Sequence, residues 1–179
     1  MRVISGEARG RRLITLEDMD VRPTTDKVKE SIFNIIQFDI EGSNVLDLFS
    51  GSGQLGIEAL SRGAKHCTFI DQSKRSLDIT KKNIAACSFE QRSGVYKEDA
   101  LDFLEKTHEI FDIALLDPPY RQGLIRKALP ELTKKMSKNG IIICELSAEE
   151  DLTQTVNDFS ISREYKYGKI KILVYKRNN

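Results

Sequence analysis

A chain of 179 residues, 40% hydrophobic and 31% charged, has the size and balance of one ordinary globular domain with its own core. Its 28 Lys+Arg against 27 Asp+Glu leave a formal net charge of +1, which excludes a strongly cationic tail protein. The cysteines Cys67, Cys87 and Cys144 are odd in number and far apart, and no apolar run approaches the ~18 residues of a membrane helix, so a disulfide scaffold, a zinc-finger module and a membrane protein are excluded as well.

The start, Met1-Arg2-Val3-Ile4-Ser5-Gly6, has no apolar stretch after its charge, so no secretion signal is read there and a cytoplasmic location is expected. Residues 1–23 read as a polar, turn-rich arm. Residues 1–12 carry a local charge of +3 from Arg2, Arg9, Arg11 and Arg12 against Glu7. Arginines around Gly10 can fork onto phosphate oxygens, although an ordinary solvated surface has the same composition. Residues 121–140 and 161–179 each carry +5. Pro23 fixes its own φ and holds Arg22 extended, which closes the arm.

From Thr25 the pattern turns helical. Val28, Ile32, Ile35 and Ile36 form one stripe with Lys27, Lys29 and Glu30 outside it, so a helix is expected over 24–40. After Gly42 short apolar runs alternate with helical segments. A strand over 45–49 ends in Ser50-Gly51-Ser52-Gly53, and a helix through Leu55, Ala59 and Leu60 stops at Gly63. A strand over 67–70 closes at Asp71, and a helix over 73–86 turns Leu77, Ile84 and Ala85 inward. A weak strand covers 95–97, then a helix 100–106. The strand 112–116 ends at Asp117-Pro118-Pro119-Tyr120. A helix over 124–136 precedes a strand over 141–144, and residues 161–166 and 170–175 flank Tyr167-Gly168-Lys169 as a hairpin. Such alternation predicts an α/β fold, a parallel sheet covered on both faces. Ligands bind outside the carboxyl ends of such strands, so Asp47, Asp71, Asp99 and Asp117 mark the place to look for chemistry.

Gly51-Ser52-Gly53-Gln54-Leu55-Gly56 spells G-x-G-x-x-G between a strand and a helix, with Asp71 twenty residues after Gly51. The loop suits a dinucleotide, S-adenosylmethionine or a bare tight turn. Asp47 favours the second. Facing a pyrophosphate at ~4 Å it would cost on the order of 4 kcal/mol, whereas it would attract an ammonium or a sulfonium. The chain also leaves little room for a dehydrogenase's second domain. Asp71 suits ribose hydroxyls. Asp99 suits an adenine amine, or equally the N-cap of the helix at Ala100.

Asp117-Pro118-Pro119-Tyr120 is the most informative tetrapeptide. Two prolines stop the strand and freeze the backbone. The Asp117 carboxylate and the Pro118 carbonyl are two acceptors for the two hydrogens of an exocyclic amine, whose delocalised lone pair they would localise. Tyr120 would stack on the base. Asp117 is also a candidate acceptor for the proton. His66 and His108 fall away from the strand tips, Cys67 and Cys144 read as core, and no metal cluster is apparent.

These residues together resemble the class I methyltransferases, and within them the RsmD family, which methylates guanine N2 in bacterial small-subunit ribosomal RNA. The resemblance covers nearly the whole chain: Arg2-Val3-Ile4-Ser5-Gly6 with Arg9-Gly10-Arg11, Arg22-Pro23-Thr24 with Asp26-Lys27-Val28, the segments 45–53 and 55–63, and the 117–120 tetrapeptide. It implies a Rossmann-like, seven-stranded, mostly parallel sheet with a reversed C-terminal hairpin, in a single domain of arm (1–23), helix (24–40) and core (43–179). It implies an S-adenosylmethionine pocket from Asp47, Phe49, Ser50, Gly51, Gly53, Asp71, Gln72, Asp99, Ala100 and Asp117, closed in part by Arg22 and Thr24. The catalytic group would be Asp117, Pro118, Pro119 and Tyr120. Arg2, Arg9, Arg11 and Arg12 would contact RNA. Asp71 stands where glutamate is frequent, Ser50 where alanine is, and Gln54 where a small residue is. A monomer acting on ribosomal RNA or the small subunit is expected. Adenine N6 in DNA, a protein amide, and non-catalytic RNA or dinucleotide binding are the rival readings.

Overall fold

The central strands are apolar on both faces, so each must be covered twice. The computed structural model, which describes residues 1–16 and 26–178, shows how. In chain order the elements are α1 (Asp26–Ile35), β1 (Asn44–Asp47), α2 (Gln54–Ser61), β2 (His66–Asp71), α3 (Lys74–Ala86), β3 (Ser93–Lys97), α4 (Ala100–Lys106), β4 (Phe111–Leu116), α5 (Leu124–Leu132), β5 (Met136–Ser147), β6 (Thr155–Val156), β7 (Phe159–Tyr167) and β8 (Ile170–Arg177). They build one sheet in the order β3-β2-β1-β4-β5-β8-β7-β6. Strands β1 to β5 are parallel, and β8 runs antiparallel between β5 and β7. The period of two sorts the side chains. Val45, Ile113, Leu115, Ile143 and Val174 join the core of α1, α2 and α3, whereas Leu46, Ala114, Leu116, Cys144 and Leu173 join that of α4 and α5. The strand order reverses between β1 and β4, which opens a crevice at their carboxyl ends.

The sheet has eight strands rather than seven, because the two-residue β6 pairs with the outer edge of β7. Strand β5 begins at Met136, before the expected 141, and the helix ahead of it ends at Leu132 with a single 3₁₀ turn after it. Met136 pairs with Phe111 across a register shift, and Gly140 accommodates it: a Cβ there would lie 2.9 Å from Met136 Cβ. Helix α1 ends at Ile35 rather than at 40, and Ile36 and Ile40 beyond it are buried. On α3, Ala85 is exposed and Asn83 takes the inward place. Lys29, expected outside, is fully buried. Residues 17–25, which include Arg22, Pro23 and Thr24, lie outside the described residues.

Lys29 is inside because the arm covers it. Residues 1–16 close on themselves through an Arg2–Arg12 bridge and the Val3 N–H bond to the Arg11 carbonyl, 2.9 Å. The loop lies over α2, whose eight residues are all buried, the polar Gln54, Glu58 and Ser61 among them. Glu58 of α2 is the anchor. Its oxygens accept the N–H groups of Ile4 (2.8 Å) and Ser5 (3.0 Å). Lys29 Nζ at 3.6 Å and Arg62 Nε at 2.8 Å balance its charge. Burial pushes the Lys29 ammonium below its ordinary value, with Glu58 opposing the shift. Gly6 (φ +83°) brings the backbone against α2 so closely that a Cβ would sit 1.7 Å from the Ser61 carbonyl oxygen.

Glu58→Ala strands the Lys29 charge in the interior. It is expected to lower unfolding free energy by about 3–5 kcal/mol in urea denaturation, with Lys29→Met recovering part of the loss. An unchanged midpoint would show that the arm does not depend on this anchor.

Candidate active site

The crevice begins at the tip of β1. Asp47 is 1% exposed, and its Oδ2 accepts the Gly56 N–H at 3.0 Å. Helix α2 has Gly53 at its N-cap and no side-chain cap, so Asp47 satisfies one of the orphan donors from outside the helix. Burial lifts the Asp47 carboxyl to about 7; the Gly56 N–H pulls against this and nearby Asp71 adds to it. Each glycine of the loop has its own reason. Gly56 lets α2 press on β2, since a Cβ would meet the Phe69 ring at 2.3 Å and Cys67 Sγ at 2.6 Å. Gly51 and Gly53 take left-handed φ values of +54° and +79°, and a Cβ on Gly51 would meet nothing within 4 Å.

The loop is lashed to its neighbours. Asp71 accepts the Gly51 N–H on Oδ2 (2.9 Å) and the Ser73 N–H on Oδ1 (2.8 Å). Thr80 Oγ1 donates to the Gly51 carbonyl at 2.9 Å. Asn83 Nδ2 donates to the carbonyls of Ser52 and Ile14, both at 2.9 Å, while its Oδ1 accepts the Ile14 N–H at 2.8 Å. In this loop two buried side-chain atoms, Ser50 Oγ and Gln54 Oε1, have no hydrogen-bond partner among the described residues. A loop with unsatisfied polar atoms, open space at Gly51 and the carboxylates of Asp47 and Asp71 bonded to it fits a ligand that carries hydroxyls and positive charge.

Asp99 is the N-cap of α4: its Oδ1 accepts the N–H groups of Leu101 (2.8 Å) and Asp102 (3.2 Å), and Gln72 Nε2 donates to its Oδ2. Ala100 is buried behind it, and Phe49 packs against the second core. The 117–120 tetrapeptide follows β4, whose Leu115 is in register with Asp47. Pro118 is buried and Pro119 exposed, with Asp117 and Tyr120 between these extremes. Tyr120 Oη donates to Glu145 Oε1 at 2.9 Å. Burial first, then the Glu145 charge, raises the phenol far above its ordinary value, so it stays a donor. A cavity of about 310 Å³ opens here, lined by Pro118, Pro119, Tyr120, the first turn of α5 and residues around Glu145 and Glu150.

Arg2, Arg9, Arg11 and Arg12 are exposed, and Arg2 Nε lies 3.4 Å from Asp26. His66 and His108 stand at the amino ends of β2 and β4, away from the crevice. Cys67 and Cys144 are fully buried, and burial raises both thiols. Thr80, Asn83, Glu58 and Glu145 were not singled out from sequence. Thr80 and Asn83 break an apolar helical stripe with polar residues. Glu145 ends the run Ile141-Ile142-Ile143-Cys144, the same signature that picked out Asp47, Asp71 and Asp117.

A family model described as Conserved hypothetical protein 95 matches residues 1–176. The chain is 40% identical to YlbH of Bacillus subtilis, provisionally named an rRNA methyltransferase, over 99% of each protein. It is 36% identical to Ribosomal RNA small subunit methyltransferase D of Haemophilus influenzae, covering 98% of this chain and 93% of that one. The solved structure of Escherichia coli yhhF, provisionally named a methyltransferase, superposes with a TM-score of 0.89 at 32% identity over 99% of this chain and 98% of that one.

Because the folded Asp47 value lies above the ordinary 3.8, its contribution to stability is fully present below that pH and is gone once the pH passes about 7. Urea unfolding from pH 4 to 8 is expected to show this decline, and Asp47→Asn to remove that part of it. Parallel profiles for the two proteins would show that the carboxyl titrates normally.

Proposed function

Because the chain belongs to the Conserved hypothetical protein 95 family, the RsmD family of class I ribosomal RNA methyltransferases, we propose that it moves a methyl group from S-adenosylmethionine to the exocyclic N2 amine of a guanine in small-subunit ribosomal RNA. The observation that carries this reading is the 310 Å³ cavity against Pro118, Pro119 and Tyr120, next to the carboxyl-end crevice where β4 lies beside β1 and its glycine loop.

S-Adenosylmethionine supplies an electrophilic methyl on a sulfonium. The residues that would hold it are Asp47, Phe49, Ser50, Gly51, Gly53 and Asp71, with Gln72, Asp99 and Ala100 at the adenine end. The partnerless Ser50 Oγ and the open space over Gly51 support that assignment. The amine of guanine is a poor nucleophile because its lone pair is spread into the ring. Asp117 and the Pro118 carbonyl take its two hydrogens, which localises the lone pair and aims it. Tyr120 stacks on the base, a contact worth roughly 1–3 kcal/mol. Asp117 then accepts the proton that the methylated nitrogen sheds. Catalysis is thus positioning and electrostatics. Arg2, Arg9, Arg11 and Arg12 meet RNA phosphates, as do Arg126 and Lys127, which line the cavity.

Small ribosomal subunits from cells lacking this gene, incubated with the protein and labelled S-adenosylmethionine, are expected to yield label in N2-methylguanosine on nucleoside analysis. Label in another nucleoside, or none, would overturn the guanine assignment. Asp117→Ala is expected to lower kcat by about 100-fold or more while cofactor affinity changes only a few-fold. Wild-type turnover in that variant would remove the mechanism.

A further inference from the structure

Asn83 of α3 is 1% exposed, and its side chain is shared between two distant parts of the chain. Its Oδ1 accepts the Ile14 N–H at 2.8 Å, and its Nδ2 donates to the carbonyls of Ile14 and Ser52, both at 2.9 Å. An amide offers one oxygen and two N–H donors, and these three partners engage all of them. One nitrogen atom therefore touches both the arm and the glycine loop. The Ile14 side chain is 51% exposed, so the backbone clamp rather than side-chain packing holds that residue.

The neighbouring ties serve one element each. Thr80, one turn earlier on α3, gives its hydroxyl to the Gly51 carbonyl of the loop at 2.9 Å. Ser61 Oγ on α2 accepts the Ala8 N–H at 3.0 Å and donates to the Ser5 carbonyl at 2.6 Å, both in the arm. Lifting the arm takes two of the three bonds from the Asn83 amide. An amide is planar, so a shift of Ser52 that turns it also misaligns its bonds to Ile14. The docked arm and the ordered loop are thus one state rather than two. In the reaction described above they have different ligands, RNA phosphates at the arginines of the arm and the cofactor at the loop. A ligand that favours this state through either element raises affinity for the other ligand by the same factor.

We propose that Asn83 is a positioning residue that couples the arm to the glycine loop, so that ribosomal RNA and S-adenosylmethionine bind cooperatively. The inference rests on the methyl-transfer reading given above and adds how its two ligands sense one another.

The probes are labelled S-adenosylhomocysteine, which binds without turning over, and small ribosomal subunits from cells lacking this gene, at one fixed salt concentration. Saturating subunits are expected to lower the wild-type Kd for S-adenosylhomocysteine about fivefold or more, and S-adenosylhomocysteine to tighten subunit binding equally. Asn83→Leu keeps the bulk and removes the three bonds, and its coupling factor is expected to fall below about twofold. Thr80→Val is expected to weaken cofactor binding and Ser61→Ala to weaken subunit binding, each with the coupling factor retained, a pattern that general loss of stability would not produce. A wild-type factor near one, a full factor in Asn83→Leu, or loss of the factor in all three variants alike would overturn the proposal. Where Asn83→Leu fails to fold, hydrogen exchange in the wild-type protein decides. S-Adenosylhomocysteine alone is expected to slow exchange at the Ile14 N–H, and an unchanged rate would overturn the coupling. If the wild-type protein fails to bind either probe, the methyl-transfer reading has failed; if it makes N2-methylguanosine without coupling, only this inference has.

Discussion

Helix α2 is buried on every side, and much of the molecule follows from that constraint. It approaches β2 too closely for any residue but glycine at position 56. Its N-cap, Gly53, is left-handed and a Cβ there would meet Thr80 at 2.8 Å, so no side chain caps the start and the donor at Gly56 takes a carboxylate from the tip of β1. Its other face would be bare without the arm, which is why residues 1–16 are folded down on Glu58 and Ser61. The glycine loop is the junction of these demands. Its shape is set by α2 on one side and by Asp71, Thr80 and Asn83 on the other, before any ligand enters.

The crevice concentrates negative charge. Asp47 and Asp71 end β1 and β2, Asp117 follows β4, and Glu145 lies near the end of β5; burial above all, with a smaller contribution from Asp71, raises the Asp47 carboxyl. Acids held in this way bind a cation well and a phosphate poorly. Basic side chains lie elsewhere, on the exposed arm and on the first turn of α5. Under the proposed function, a positively charged cofactor and a polyanionic substrate would meet here, each reaching the site across surface of the opposite sign.

The strands, their parallel order and the terminal hairpin were legible because apolar runs closed by acids or glycines leave little choice of element. The glycine loop and the 117–120 tetrapeptide were legible for the same reason. Three things were not. Lys29 reads as a surface residue until a segment 27 residues earlier folds over it. Asn83 reads as a polar break in a helix, because its bonds go to Ile14 and Ser52, far away in the chain. Asp99 carries the same letters whether it caps a helix or grips a ligand, and the structure gives it the cap. For Lys29 and Asn83 the deciding partner is remote in sequence, and periodicity reports only neighbours; for Asp99 the cap is local, and the sequence offered it beside the ligand reading.

The arm's bonds also impose an order in time. Its partners Glu58, Ser61 and Asn83 lie 53 to 69 residues further along the chain. Residues 1–16 are synthesised before any of them, so the arm's full set of contacts must wait until Asn83 has been made. Closing a loop of that length costs entropy that only the finished α2–α3 surface can offset. The arginine-bearing segment is therefore early in synthesis and late in folding, and its docking reports that the glycine loop beneath it has already formed.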